Sequence, residues 1–261
     1  MGEGSRPAPV MLHAHQHLPG PKGPVVLLIL DGVGIGENDA FDAVALAHTP
    51  NLDVLRRTGL ATSRRAHGTA VGLPSDRDIG NSEVGHNIMG AGRVFDQGAK
   101  CVIRAIETEA MWNGYWKTLV ERIGSNGGAL HLLGLLSDGN VHSHESHLHA
   151  LIRRADQQGL ARVYVHALLD GRDVPDHTAL VYLDRLEALL GEIRDKGGRD
   201  FRIASGGGRM VVTMDRYEAD WDIVARGWRA HVHGEAPGFP SAAAAVEHFR
   251  AGEPSISDQV M

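Results

Sequence analysis

Cysteine is almost absent from this 261-residue chain: Cys101 stands alone, so no intrachain disulfide can form, which fits a reducing compartment. Aromatic residues make up only 5% of the chain, and no internal repeat or low-complexity tract is present. The longest apolar run, residues 25–30, is far too short to cross a membrane. A formal net charge of -6, with no lysine/arginine stripe, argues against nucleic acid as a partner. Anionic small molecules stay compatible with that balance, because local arginine pairs override a modest net charge. Residues 1–23 hold proline, glycine and the alternating histidines His13, His15 and His17, with no apolar signal core. They read as a flexible tail whose histidines are incidental, and the cytoplasm is the expected compartment.

Glycine, by contrast, is plentiful, at 33 residues against the usual share of about 7%, and it clusters in motifs. The length allows one large domain or two ordinary ones. Residues 25–30 (VVLLIL) read as a short, fully buried strand ending at Asp31-Gly32. Helical stretches are expected from Ala43 to Ala47 and from Thr49-Pro50 to Gly59, and residues 67–93 read as loop. Further on, residues 129–136, 162–169 and 201–204 read as strands. Between them lie a helix with Leu148, Leu151, Ile152 and Ala155 on one face, and a second that Asp176 can cap, with Leu183, Leu186, Leu189, Leu190 and Ile193 aligned. Strand-helix-strand alternation implies parallel pairing with right-handed crossovers, so the fold class is α/β.

Ligands of open parallel sheets collect beyond the carboxyl ends of the strands. All four expected strands end in polar, glycine-containing segments: Asp31-Gly32, Ser137-Asp138-Gly139-Asn140-Val141-His142, Asp170-Gly171-Arg172-Asp173 and Ser205-Gly206-Gly207-Gly208-Arg209. The sharpest segment is Gly80-Asn81-Ser82-Glu83-Val84-Gly85-His86. Flanking glycines let backbone approach a ligand and hold a serine hydroxyl at a loop or helix start. The same pattern also describes a plain cap or turn. Histidines 142, 144, 147 and 149 invite a zinc reading, but their spacing spreads three of them around more than one helix face, with no cysteine nearby.

The string at residues 80–86, followed by Gly90-Ala91-Gly92-Arg93, resembles the phosphoserine motif of cofactor-independent phosphoglycerate mutases, members of the alkaline phosphatase superfamily. Leu30-Asp31-Gly32-Val33-Gly34 is similar to that family's metal-binding first strand. The segments at 137–144, 169–173 and 205–217 resemble its substrate-handling motifs in the expected order, and the triple glycine resembles the plant and trypanosomatid branch. The resemblance implies a metal-dependent isomerase that interconverts 3- and 2-phosphoglycerate in glycolysis through a phosphoserine. It implies two divalent ions in the whole enzyme (Mn²⁺, Mg²⁺ or Co²⁺), no 2,3-bisphosphoglycerate, and a monomer without nucleic-acid or membrane partners. Carried over residue by residue, Asp31 and Ser82 are metal ligands, and Ser82 is also the catalytic phosphoryl acceptor. His142, Arg172, Asp173, Arg209 and Arg216 are substrate-binding, with Asn81 a weaker candidate for steadying the transferring group.

Family members are roughly twice this length, as two ordinary domains require. The resemblance therefore assigns residues 24–95 to the first piece of a parallel-sheet phosphatase-type domain and residues 96–261 to an inserted α/β transferase domain. On that reading most metal ligands belong to a later segment, and the chain is expected to be inactive by itself. The alternatives are a phosphoglycerate-binding module without catalysis, or one complementing half of a split enzyme.

Overall fold

The computed structural model describes residues 15–17, 19–31, 33–214 and 220–261. They form two compact units, Met1–Thr62 and Ser63–Met261.

In the first unit, α1 (Ala43–Leu46) is capped by Asp42, which accepts the Ala45 N–H at 3.0 Å. Pro50 opens α2 (Pro50–Thr58), where its missing N–H costs nothing, and Gly59 closes it. Residues 25–30 do not form the expected buried strand. They run without regular structure, their side chains exposed from 42% at Ile29 to 85% at Val26. A strand is held by hydrogen bonds to its neighbours, and the described residues of this unit contain no second strand to pair with it. Asp31 consequently ends no strand.

The second unit is built on three parallel strands in the order β1 (Leu130–Leu136), β2 (Arg162–Leu169), β3 (Asp200–Gly208). Ahead of them come α3 (Ser82–Ala91), α4 (Gly98–Glu107) and α5 (Tyr115–Asn126). The crossovers are α6 (Glu145–Gln157) and α7 (Ala179–Arg194). After β3 follow α8 (Arg209–Val212), α9 (Trp221–Trp228), a π-helical turn (Arg229–His233) and α10 (Ala242–Gly252).

Side chains of β1–β3 alternate between two faces. One set, with Leu130, Leu136, Val163, Val165 and Phe201, packs against Ile152 and Ala155 of α6 and the leucine face of α7. The other set carries a hydrogen-bonded chain of polar groups: His131 Nδ1 to His166 Nε2 at 2.9 Å, His166 Nδ1 to Ser205 Oγ at 2.6 Å, and Ser205 Oγ to His231 Nδ1 at 2.7 Å.

Two expected segments change most. The segment from 67 to 93 is not all loop, because Val84 and Ile88 lie four apart and pack on Val71 and Leu73 as one face of α3. β3 runs four residues beyond Ala204, to Gly208. The glycines make that extension possible: a Cβ on Gly206 would lie 2.7 Å from the Ala167 carbonyl oxygen, and one on Gly208 2.2 Å from that of Gln259. The Gln259 side belongs to a short 3₁₀ turn (Asp258–Val260) docked on the strand end, where the Gly208 N–H donates to the Met261 carbonyl at 2.7 Å.

Candidate functional site

The polar segments predicted beyond β1, β2 and β3 meet at the carboxyl edge of this sheet. Asp170 follows β2 directly and is 3% exposed. Its Oδ1 accepts the backbone N–H groups of Arg172 and Asp173, both at 3.1 Å, closing the turn that presents them. The same oxygen accepts from Arg209 Nη1 at 2.9 Å, and Nη1 also reaches Asp173 Oδ2 at 2.8 Å. Arg209, at 2% exposed, is thus a buried cation held between two carboxylates. A surface charge it is not. Burial pushes the Asp170 carboxyl up, but hydrogen bonding from Ser137, the two turn amides and Arg209 outweighs it and holds the pKa below the ordinary carboxylate value.

His142, on the loop after β1, places Nε2 3.7 Å from Asp173 Oδ2 and leaves its ring half-exposed. Arg172 points to solvent and has no ion-pair partner among the described residues. Arg172 and Asp173 are therefore neighbours with opposite orientations, one outward and one turned in to Arg209. Arg209 Nε and Asp170 Oδ2 are buried without a hydrogen-bond partner among the described residues. Such atoms are costly to leave unmet, so the cluster retains unused capacity to bind. Arg216 lies outside the described residues.

The loop after β1 is fixed from beneath. Tyr182 of α7 donates to Asp138 Oδ1 at 2.7 Å, and Arg185 Nη1 donates to Glu145 Oε1 at 2.6 Å. Burial and the Asp138 carboxylate push the Tyr182 phenol up to about 12, so it stays a donor.

Ser82 is the first residue of α3 and is exposed, while Asn81 serves as the N-cap, accepting the Val84 N–H at 2.9 Å. Asn81 thus spends its side-chain oxygen on the helix. Asp31 lies in the first unit and Ser82 in the second. Among the described residues no group of three or more His, Cys, Asp or Glu side chains is placed to hold a metal ion. In the histidine cluster, His144 caps α6 by accepting from Ser146, and burial pushes His147 and His149 down. Sequence reasoning quoted Asp170, Asp78 and Asn140 within their motifs without assigning them a task, and it missed that the Asp78 and Asn140 side chains meet at 2.6 Å. A carboxylate directly after a buried strand and beside a glycine was the available signal for Asp170.

The chain as a whole resembles known proteins. Residues 102–261 match the family model for the BPG-independent PGAM N-terminus. The chain is 53% identical over 250 residues to the 2,3-bisphosphoglycerate-independent phosphoglycerate mutase of Trypanosoma brucei brucei, covering 95% of this chain and 45% of that one. It is 48% identical over 250 residues to the enzyme of that name from Zea mays, at 95% and 44% coverage. A crystal structure of Leishmania mexicana phosphoglycerate mutase at low cobalt concentration superposes with a TM-score of 0.81 and 51% identity, over 89% of this chain and 42% of that chain. The chain thus spans just under half the length of the relatives it matches. With the sheet, the strand-end motifs and these matches in agreement, the chain belongs to the 2,3-bisphosphoglycerate-independent phosphoglycerate mutase family.

Proposed function

We propose that the chain is the phosphoglycerate-holding, serine-bearing portion of a mutase that interconverts 3- and 2-phosphoglycerate. The buried Arg209, clamped by Asp170 and Asp173 with Nε left over, carries this reading. The outward Arg172 offers a planar donor fork to a phosphate or carboxylate, the buried Arg209 the donors its two carboxylates leave over, and His142 a further donor. Arg216 joins them on the resemblance alone. Ser82 Oγ accepts the phosphoryl group from one glycerate oxygen, which takes a proton as the serine gives one up; the reoriented glycerate then receives the group on its other hydroxyl, whose proton goes back to Ser82 Oγ as the serine ester bond breaks. We read residues 24–95 as the first piece of the phosphatase-type domain and 96–261 as the substrate-handling domain.

A divalent ion, Mn²⁺ by preference, belongs to the whole enzyme on this reading. Asp31 and Ser82 supply only two oxygen donors, whereas such cations take about six. The described residues therefore do not make a metal centre, and no step is assigned to one. The pure chain is accordingly expected to show no turnover with Mn²⁺ or Mg²⁺, and robust turnover contradicts that clause. Binding is the direct test: 3-phosphoglycerate should give a calorimetric signal without metal, lost in Arg209→Ala, and no heat at millimolar ligand rejects the reading.

The uncovered apolar residues 25–30 favour a second reading, a half completed by another chain. Co-expression with the downstream half of the Trypanosoma relative restores activity if it holds. No helix among the described residues is long and apolar enough to cross a membrane. We place the protein in the cytoplasm, consistent with its free, exposed Cys101, and read the whole enzyme as a monomer.

A further inference from the structure

Asn140 occupies the left-handed region at φ 56, a conformation that asparagine tolerates better than other non-glycine residues. It lies in the loop after β1, two residues before His142, and is 9% exposed. Its Nδ2 donates to Asp78 Oδ1 at 2.6 Å across 62 positions of sequence. An ionised carboxylate only accepts, so the amide orientation is fixed. Asp78 is itself tightly held. Its Oδ2 accepts the Ser75 N–H at 2.6 Å and the Ser75 hydroxyl at 2.7 Å, and its carbonyl accepts the Gly68 N–H at 3.1 Å. Burial raises its pKa, but the Asn140 and Ser75 hydrogen bonds more than offset this and keep it ionised.

Only Ile79, Gly80 and Asn81 separate Asp78 from Ser82. Gly80 lies against the Ala66 carbonyl oxygen, which a Cβ there would approach to 2.0 Å, and Asn81 caps α3. Asp78 and Ser82 are thus joined by a short segment braced at two positions.

We propose that the Asn140–Asp78 hydrogen bond is a latch tying the segment that carries Ser82 to the loop that carries His142, which makes Asn140 a positioning residue for phosphoryl transfer. The functional half of this statement rests on the reading of Ser82 as phosphoryl acceptor; the latch itself does not. Asn140→Gly is the clean probe, because glycine keeps the left-handed backbone and removes only the amide. Exchanging the partners, Asp78→Asn with Asn140→Asp, rebuilds the bond with donor and acceptor reversed.

The test is hydrogen exchange of the full chain, followed in peptides spanning residues 75–84. Loss of a hydrogen bond to a charged group predicts exchange faster by about tenfold or more in Asn140→Gly. Protection returns in the exchanged pair and not in Asn140→Asp alone, where two carboxylates face each other. Unchanged exchange in Asn140→Gly, or an exchanged pair that stays unprotected, overturns the latch. In the wild type, 3-phosphoglycerate adds protection to these peptides, and Asn140→Gly abolishes the addition while leaving affinity unchanged; added protection that survives in Asn140→Gly contradicts the coupling. Absence of 3-phosphoglycerate binding by the wild type refutes the proposed function instead, and ligand-free exchange still decides the latch.

Discussion

Arg209 Nη1 lies 2.9 Å from Asp170 Oδ1 and 2.8 Å from Asp173 Oδ2, so one buried cation joins the end of β3 to the turn after β2. Removing it leaves two carboxylates buried side by side. Arg209→Ala is expected to lower unfolding stability by about 3–5 kcal/mol in a urea titration. Arg209→Lys keeps the charge without the planar fork and should cost less.

Serine 82 carries chemistry rather than structure on this account. Ser82→Ala should shift stability by no more than about 0.5 kcal/mol and leave 3-phosphoglycerate affinity unchanged. Asn81→Ala removes the N-cap of α3 and should cost about 1 kcal/mol. Thermal melts of the two variants check the contrast.

Acid should weaken the unit in two windows. Burial, with His131 and His231 nearby, lowers His166 from 6.5 to about 4. Between those values the unfolded chain binds the proton and the folded one does not, so stability falls as pH drops from 6.5 to about 4. Groups on the same face include His131, Tyr164, Asp200, Ser205 and His231. His166→Gln should flatten that window in a series of melts against pH. Asp170 is depressed below its ordinary value, so its contribution persists above the unfolded carboxylate pKa of about 3.9 and is lost only below it.

The core makes an ordinary demand. Leu186, 0% exposed on the α7 face toward the sheet, should cost about 2–5 kcal/mol when cut to alanine, measured by urea unfolding.

Central parts of this fold were legible because apolar side chains announce themselves by period. β2 has the expected bounds and β1 starts one residue later than expected, since both are short apolar runs, leucine-rich in β1 and with valine and leucine in β2, bounded by turn signals. The strand expected at 25–30 has the same composition, but a strand is a property of a pair, and no partner for it is present among the described residues. Long-range polar pairing was equally hidden. Asp176 was the expected cap of α7; in the structure it accepts the Asp258 N–H, while Asp258 Oδ2 takes the Ala179 N–H across 79 positions. Motif order located Arg209 and Ser82, yet nothing in the sequence showed that Arg209 is buried or that Asn140 reaches Asp78.

The most direct test of the central claim is metal-free calorimetry of the intact chain with 3-phosphoglycerate, comparing the wild type with Arg209→Lys. Wild-type binding that weakens by about tenfold in Arg209→Lys, a loss of about 1.4 kcal/mol, is expected when a bidentate fork becomes a point charge. Equal affinity in the two proteins, or no binding by either, contradicts the assignment of this strand-end cluster to phosphoglycerate.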